Sequence, residues 1–409
     1  MKSHLTFREI GVASPRFYAL AVAAAAVLGL GLIAAWYMEH NGHWVTGMDN
    51  QIVWGLPHVF AVFLIVAASG VLNMASLGSV FGQAAYKPLA RLSGLMAIAL
   101  LIGGLAVLVL DLGRPDRLIV AMTSFNFRSI FAWNIFLYTG FIAIVAIYLW
   151  LLMERRLAAW SGAAGLVAFV WRLVLTTGTG CIFGFLVARE AYNTALMAPL
   201  FIAMSLAFGL AIFMLTLALC YGRQAALGGA LGARMAKLLA IFVAAVLYFT
   251  TLQHLTGLYG ARSQGVERFL LLDGGAITAT FWLLQVGLGG IAPLVLLLWP
   301  HSRQRPPSWC LSAAALVVLG GLAQVYVIII GGQSYPLNMF PGYEIKSRFF
   351  DGVTASYAAS LPELILGLGG IALSTLIVML GLRILPFLPE RLADAANDPF
   401  QKQGAAGTG

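Results

Sequence analysis

The sequence predicts an all-α integral membrane protein of about ten transmembrane helices, arranged as two four-helix bundles plus flanking helices. Three observations predict it. Of 409 residues, 61% are hydrophobic and only 10% are charged, whereas a soluble domain carries about 25% charge. Apolar runs of bilayer-spanning length recur along the chain with short polar punctuation. The runs are continuous rather than alternating, and they are too long for barrel strands.

The runs lie near 17–38, 52–74, 91–111, 130–152, 161–187, 196–221, 236–257, 276–299, 309–331 and 362–386. The first follows MKSHLTFREIGVASPRFYAL and shows no small-residue cleavage site at signal-peptide spacing, so it reads as a retained helix. The second opens on Pro57-His58-Val59-Phe60 and the sixth on Pro199-Leu200-Phe201. Each then carries small residues: Ala67, Ala68, Ser69 and Gly70 in one, Ala203, Ser205, Ala207 and Gly209 in the other. Small residues let membrane helices pack closely, and the spacing fits a parallel repeat of two bundles, although ordinary membrane-helix composition reads the same way.

The third run ends at Asp111-Leu112-Gly113-Arg114-Pro115, and the fourth opens after Arg128-Ser129 with Trp133, Asn134 and Tyr138. The fifth carries Arg172 near its middle, roughly 18 Å from its start. The seventh ends near Gln253-His254, and Gln285 and Gln324 fall at middle depth of the eighth and ninth. The connection from Gly332 to Leu361 is the longest and suits partner docking. Residues 1–16 are expected to be a cytoplasmic segment, 17–386 the transmembrane domain and 387–409 a disordered cytoplasmic tail.

Net charge is +9. The distribution excludes a nucleic-acid partner, because the basic residues alternate between loops and leave no solvated basic face. Lys2, Arg8, Arg16, Lys87, Arg91, Arg155, Arg156, Arg223, Arg234, Lys237, Arg303, Arg305, Arg383, Arg391 and Lys402 fall on one side, which should be cytoplasmic and should hold both termini. The other side has the smaller basic set, Arg114, Arg117, Arg128, Arg189, Arg262, Arg268, Lys346 and Arg348, and takes most of the acids: Glu39, Asp49, Asp111, Asp116, Glu190, Glu267, Asp273, Glu344, Asp351 and Glu363. The three cysteines, Cys181, Cys220 and Cys310, form no CxxC and read as small buried hydrophobes. No cluster ligand set is coded, and no metal site is expected.

Charges at a membrane edge are costly, so Asp111 and Arg114 suggest a shaped site that orients a polar headgroup or relays a proton; the plainer alternative is a salt bridge at a helix end. His58 lies just inside its span, where an ionisable side chain is costly to place. It is a candidate for function, or a histidine bonded to a neighbouring helix. His58 and His254 sit at similar depth, but quinol-oxidising cytochromes need two histidine pairs, so no haem is expected. Trp133, Asn134 and Tyr138 form a mixed aromatic and polar wall, which suits a flat ring, although interfacial belt residues look similar. Arg172 must find acceptors in the bundle interior; Gln285 and Gln324 are candidates, and the choice is between a proton path and a structural polar knot. Glu190 beside Arg189 reads as a local ion pair.

Asp111-Leu112-Gly113-Arg114-Pro115, then Asn126-Phe127-Arg128-Ser129 and Trp133, resemble the NrfD/PsrC-type membrane subunits of polysulfide reductase-like complexes. Tyr357-Ala358-Ala359-Ser360-Leu361-Pro362-Glu363 is similar to the ten-helix branch, and the overall pattern is nearest the DsrP-type subunit of the sulfite reductase-linked Dsr complex, with the hydrogenase-linked HybB type as its neighbour. That stretch departs from the family's more usual Tyr-x-Pro-Ser spacing, because the proline stands at position 362. The resemblance runs from about Trp54 to about Gly381.

The resemblance implies a haem-free subunit that exchanges electrons between quinone or quinol, menaquinone or ubiquinone, and a ferredoxin-like iron–sulfur subunit on the periplasmic face of the bacterial inner membrane. His58 matches a histidine on the first core helix, and Asp111 an acid near the quinone headgroup. His58, Asp111 and Arg114 are therefore the expected catalytic set, with Trp133, Asn134 and Tyr138 completing the quinone pocket and Arg172, Gln285 and Gln324 the proton path. A proton-coupled or solute transporter is the first rival reading: ten helices and a mid-depth arginine fit it, whereas the lack of a sharply broken span opposes it; a haem-binding cytochrome b-like subunit is the second, which the histidine count opposes.

Overall fold

The computed structural model describes residues 7–10, 14–299, 306–337, 352–390 and Leu392. The protein is an all-α integral membrane protein. Among the described residues, ten helices are long and apolar enough to cross a bilayer. They are α1 (Pro15–Asn41), α2 (Leu56–Ser79), α3 (Ala84–Leu110), α4 (Ile130–Met153), α5 (Ser161–Gly184), α6 (Met197–Tyr221), α7 (Ala230–Tyr259), α8 (Ala276–Leu298), α9 (Pro307–Ser334) and α10 (Leu361–Ile384).

Helices α2–α5 pack as one bundle and α6–α9 as a second, while α1 lies along α10 and α10 leans on α3. The bundles meet where α2 crosses α6. There Gly70 abuts the backbone of Ser205 and Gly209, and a Cβ at either glycine would collide with main chain across the interface. Close approach of this kind replaces the hydrophobic drive that lipid cannot supply. The small-residue runs seen in the two spans are thus where the bundles touch. The core runs through both bundles as one cluster, centred on α2 and α6, which are the most buried spans.

Three departures have local causes. Helix α8 is π-helical over Thr280–Ile291. Gly287, Gly289 and Gly290 precede Pro293, which has no N–H to return to the preceding turn, so the upstream ladder loosens. Helix α9 runs through a π stretch at Val327–Gly331 and continues to Ser334, so the long connection begins at Tyr335 rather than Gly332. Pro336 ends it by holding Tyr335 extended. Outside the spans, β1 (Phe7–Arg8) pairs antiparallel with β2 (Leu388–Pro389), the one strand pair among the described residues. Arg91 lies 3.8 Å over the Phe7 ring, and the Tyr221 hydroxyl donates to the Pro389 carbonyl at 2.6 Å. This clasp places the two ends of the described chain on one side, as an even number of spans requires.

The first residues of the predicted N-terminal segment, the centre of the long loop at 338–351, and the tail from 393 fall outside the described residues, as do Lys2, Arg303, Arg305, Glu344, Lys346, Arg348, Asp351, Arg391 and Lys402.

Candidate functional site

The site forms where α2 begins and α3 ends. Pro57 stands in the first turn of α2, where its missing N–H costs nothing. His58 follows it. Helix α3 stops at Asp111, whose N–H still bonds Val107 while its own backbone leaves the helix. Pro115 then opens a short 3₁₀ turn, and the chain turns away along the surface. His58 Nδ1 lies 2.7 Å from Asp111 Oδ2, and the Asp111 side chain is fully buried. The approach is close but not aligned as a hydrogen bond, and both carboxylate oxygens face an imidazole, because His43 Nε2 lies 3.9 Å from Oδ1.

Both groups open onto a cavity of about 460 Å³, within the range of small-molecule sites. Its walls include His43, Trp44, Val53, Trp54 and Leu112. His43 Nε2 faces the Asp111 carbonyl oxygen at 3.1 Å. The Trp54 ring stacks on His58 at an angle of 26°, with centroids 6.3 Å apart, and lies tilted against Phe131 of α4. The cavity mixes aromatic and apolar walls with polar ones, Asp49 and Asn50 among them, and holds Asp111 at its back. It fits a flat ring that presents a hydroxyl or carbonyl oxygen to His58 and Asp111.

The expected pairing of Asp111 with Arg114 does not form. Arg114 is exposed and binds Asp116 through two 3.0 Å hydrogen bonds. That pair raises the arginine's affinity for its proton and lowers the pKa of Asp116. The reason is local: Pro115 keeps Arg114 out of the helical region, with φ −143° and ψ 69°, and the next acid lies within its reach.

Trp133, Asn134 and Tyr138 do not line this cavity. Trp133 donates to the Phe127 carbonyl in an exposed aromatic cluster with Phe125 and Phe136. Asn134 is buried against α5 and donates to Gly178 at 3.2 Å. Tyr138 is buried one turn deeper. Arg172 is buried at mid-depth, but its acceptor is Asn73 of α2 at 3.0 Å, not a glutamine, and its Nε and Nη1 have no partner among the described residues. Its guanidinium also lies over Phe169.

Gln285 and Gln324 instead belong to the second bundle. Gln324 donates to Thr250 at 3.1 Å, and both glutamines border two small cavities of about 20 Å³ each, room for a single water apiece. One of these cavities reaches His254, whose Nδ1 sits 2.6 Å from Glu267 Oε2. His254 and His58 thus each face a carboxylate rather than each other. Arg189 ignores Glu190 and donates to the carbonyls of Gln51 and Gln333.

Sequence reasoning missed His43, Trp44 and Trp54. Their signal is weak: all precede α2 in the loop after α1, at the end of the molecule where α3 terminates.

Residues 44–336 match the polysulphide reductase, NrfD family. The chain belongs to that family. It is 30% identical over 391 residues to the Hdr-like menaquinol oxidoreductase integral membrane subunit of Archaeoglobus fulgidus, covering 95% of this chain and 98% of that protein. It is 32% identical to a dimethyl sulfoxide reductase membrane subunit of Halobacterium salinarum, covering 90% and 91%. It is 24% identical to a polysulfide reductase chain of Wolinella succinogenes, covering 70% and 96%. As an NrfD-family member of ten spans, the chain is a multi-pass membrane protein, and its similarity to the Archaeoglobus subunit runs nearly end to end.

Proposed function

We propose that this NrfD-family chain is the quinol-reactive membrane subunit of a multi-subunit redox complex, with menaquinol as the substrate class. The observation that carries the reading is Asp111: a fully buried carboxylate without an aligned donor, 2.7 Å from His58, at the wall of an aromatic cavity. The relatives named for menaquinol, polysulfide and dimethyl sulfoxide chemistry support it. Quinol oxidation yields two electrons and two protons. His58 and Asp111 are placed to take protons at the ring oxygens, with Trp54 and Trp44 holding the ring faces. Arg114 is turned away from this cavity, so its part lies outside the headgroup pocket.

Electrons leave to an iron–sulfur partner of ferredoxin type docked over the outer mouth, on the periplasmic face of an inner membrane, with both termini cytoplasmic. The lysine and arginine bias supports that orientation. Service in sulfur-compound metabolism accords with the polysulfide and dimethyl sulfoxide relatives. Proton movement inward has two buried polar stations: Arg172 with Asn73 in the first bundle, and Gln285, Gln324 and Thr250 below His254–Glu267 in the second.

Affinity purification of the tagged protein from its native membrane tests the reading. An iron–sulfur protein should co-purify, and the complex should bind menadione. A protein that purifies alone and binds no menadione contradicts it.

A further inference from the structure

The wall of the headgroup cavity is held by a residue of the other bundle. Gln333 sits in the last turn of α9 and is 1% exposed. Its Oε1 accepts the N–H groups of Val53 and Trp54, each at 3.1 Å. Its Nε2 donates to the Trp54 carbonyl and to the Ile329 carbonyl, each at 3.0 Å. An amide side chain has two acceptor sites and two donors, so Gln333 is fully used. Three of those four bonds clamp Val53 and Trp54, two residues that line the cavity.

A second layer fixes the clamp. Gln51 Nε2 donates to the Ser334 carbonyl at 3.2 Å, and Arg189, from the loop between α5 and α6, donates to the Gln333 carbonyl at 3.0 Å. Burial pushes the Arg189 guanidinium below its usual value, yet an arginine keeps its proton at neutral pH. The π stretch Val327–Gly331 ends two residues before Gln333.

We propose that Gln333 is a positioning residue for the quinol headgroup: it acts through Trp54, and it makes the geometry of the cavity in the first bundle depend on the end of α9 in the second. The proposal rests on the quinol-site reading above. It assigns Gln333 no contact with substrate. The bracket fixes both the N–H and the C=O of Trp54, leaving the indole stacked on His58. Loosening it frees the ring face while His58 and Asp111 stay where α2 and α3 put them. The cost should therefore fall on binding, in Kd and KM, and leave kcat nearly unchanged.

The experiment is a double-mutant cycle on the purified complex, with menadione binding and menadiol turnover as readouts. Gln333→Leu should weaken menadione binding roughly ten-fold in the natural background and less than two-fold when Trp54→Ala is already present, because the ring that the clamp holds is gone. Gln333→Glu keeps the size and the acceptor but loses donation to the Trp54 carbonyl; it serves where the leucine variant fails to assemble and should show the same pattern at smaller size. Equal losses in both backgrounds, or no loss in either, overturn the proposal. Asp111→Asn in the same assay separates the two readings. Lost turnover there with unchanged Gln333 variants removes the positioning role alone, whereas unchanged turnover in Asp111→Asn removes the quinol site beneath it.

Discussion

His58 and Asp111 stand 2.7 Å apart although they come from different helices and are separated by more than fifty positions in sequence. The contact exists because the first turn of α2 and the last turn of α3 reach the same level, and because each ends there for its own reason. Neighbouring bonds keep α2 in place. The Tyr357 hydroxyl accepts the Leu56 N–H and donates to Glu363, both at 2.6 Å. Glu363 is fully buried at the start of α10 and also accepts Gly47 N–H at 2.8 Å. A Cβ at Gly55 would strike that carboxylate, so only glycine admits it. Burial, followed by the bond to Glu363, pushes the Tyr357 hydroxyl well above its ordinary value, so it remains a donor.

His58→Gln keeps a hydrogen-bonding group of similar reach but cannot carry a proton at neutral pH. Turnover with menadiol should fall by about 10²-fold, the scale of lost acid–base catalysis, with assembly intact. Rates within two-fold of the natural protein would show that the imidazole only packs against Asp111.

Arg114→Ala should leave menadiol turnover within two-fold. Its guanidinium is exposed and satisfied by Asp116, with the carboxyl of Asp116 held below the usual range by that pair. As pH falls through the lowered Asp116 value, this link weakens, so any contribution it makes to the loop is present at neutral pH and lost in acid. A large loss of turnover at neutral pH would return Arg114 to the headgroup.

Arg172→Gln and Arg172→Leu separate the two roles of the mid-depth arginine. A structural knot predicts that Gln keeps activity, because it can still donate to Asn73, while Leu destabilises the bundle by leaving that acceptor bare. A proton path predicts that both variants fold, bind menadione normally and lose coupled proton uptake in reconstituted vesicles. Weakened menadione affinity in a folded Gln variant would contradict both, since Arg172 lies away from the cavity walls.

Orientation is testable by reporter fusions. A cytoplasm-active reporter placed after Lys402 should work, and one inserted near Tyr343 should not. Activity of a periplasm-only reporter at the C-terminus would invert the molecule and move the candidate site to the other face.

The ten spans were legible because each is an uninterrupted apolar run, a signal that needs no knowledge of neighbours. Their ends were less so. Helix α7 begins at Ala230, before Arg234 and Lys237, because a charge near a membrane edge does not stop a helix. Asp111 and His58 stood out as polar groups where apolar residues were due. The direction of Arg114 was not legible, since it depends on the rotation imposed by Pro115. Trp54 carried no sequence signal of its own, and Gln333 fell in the expected loop; both gain their roles only from contacts between distant segments. Trp133, Asn134 and Tyr138 were the expected wall, but Trp133 turns to Phe127 and Asn134 to α5, which spacing along one helix cannot reveal without its partners.

Steady-state turnover and menadione binding of the assembled Asp111→Asn complex test the quinol-site reading most directly. The substitution keeps shape and removes the carboxylate. Turnover with menadiol should drop by at least ten-fold, with assembly unchanged and menadione binding altered by less than the turnover. Natural turnover and binding in a normally assembled complex would reduce Asp111 to a helix-end residue and place the site elsewhere.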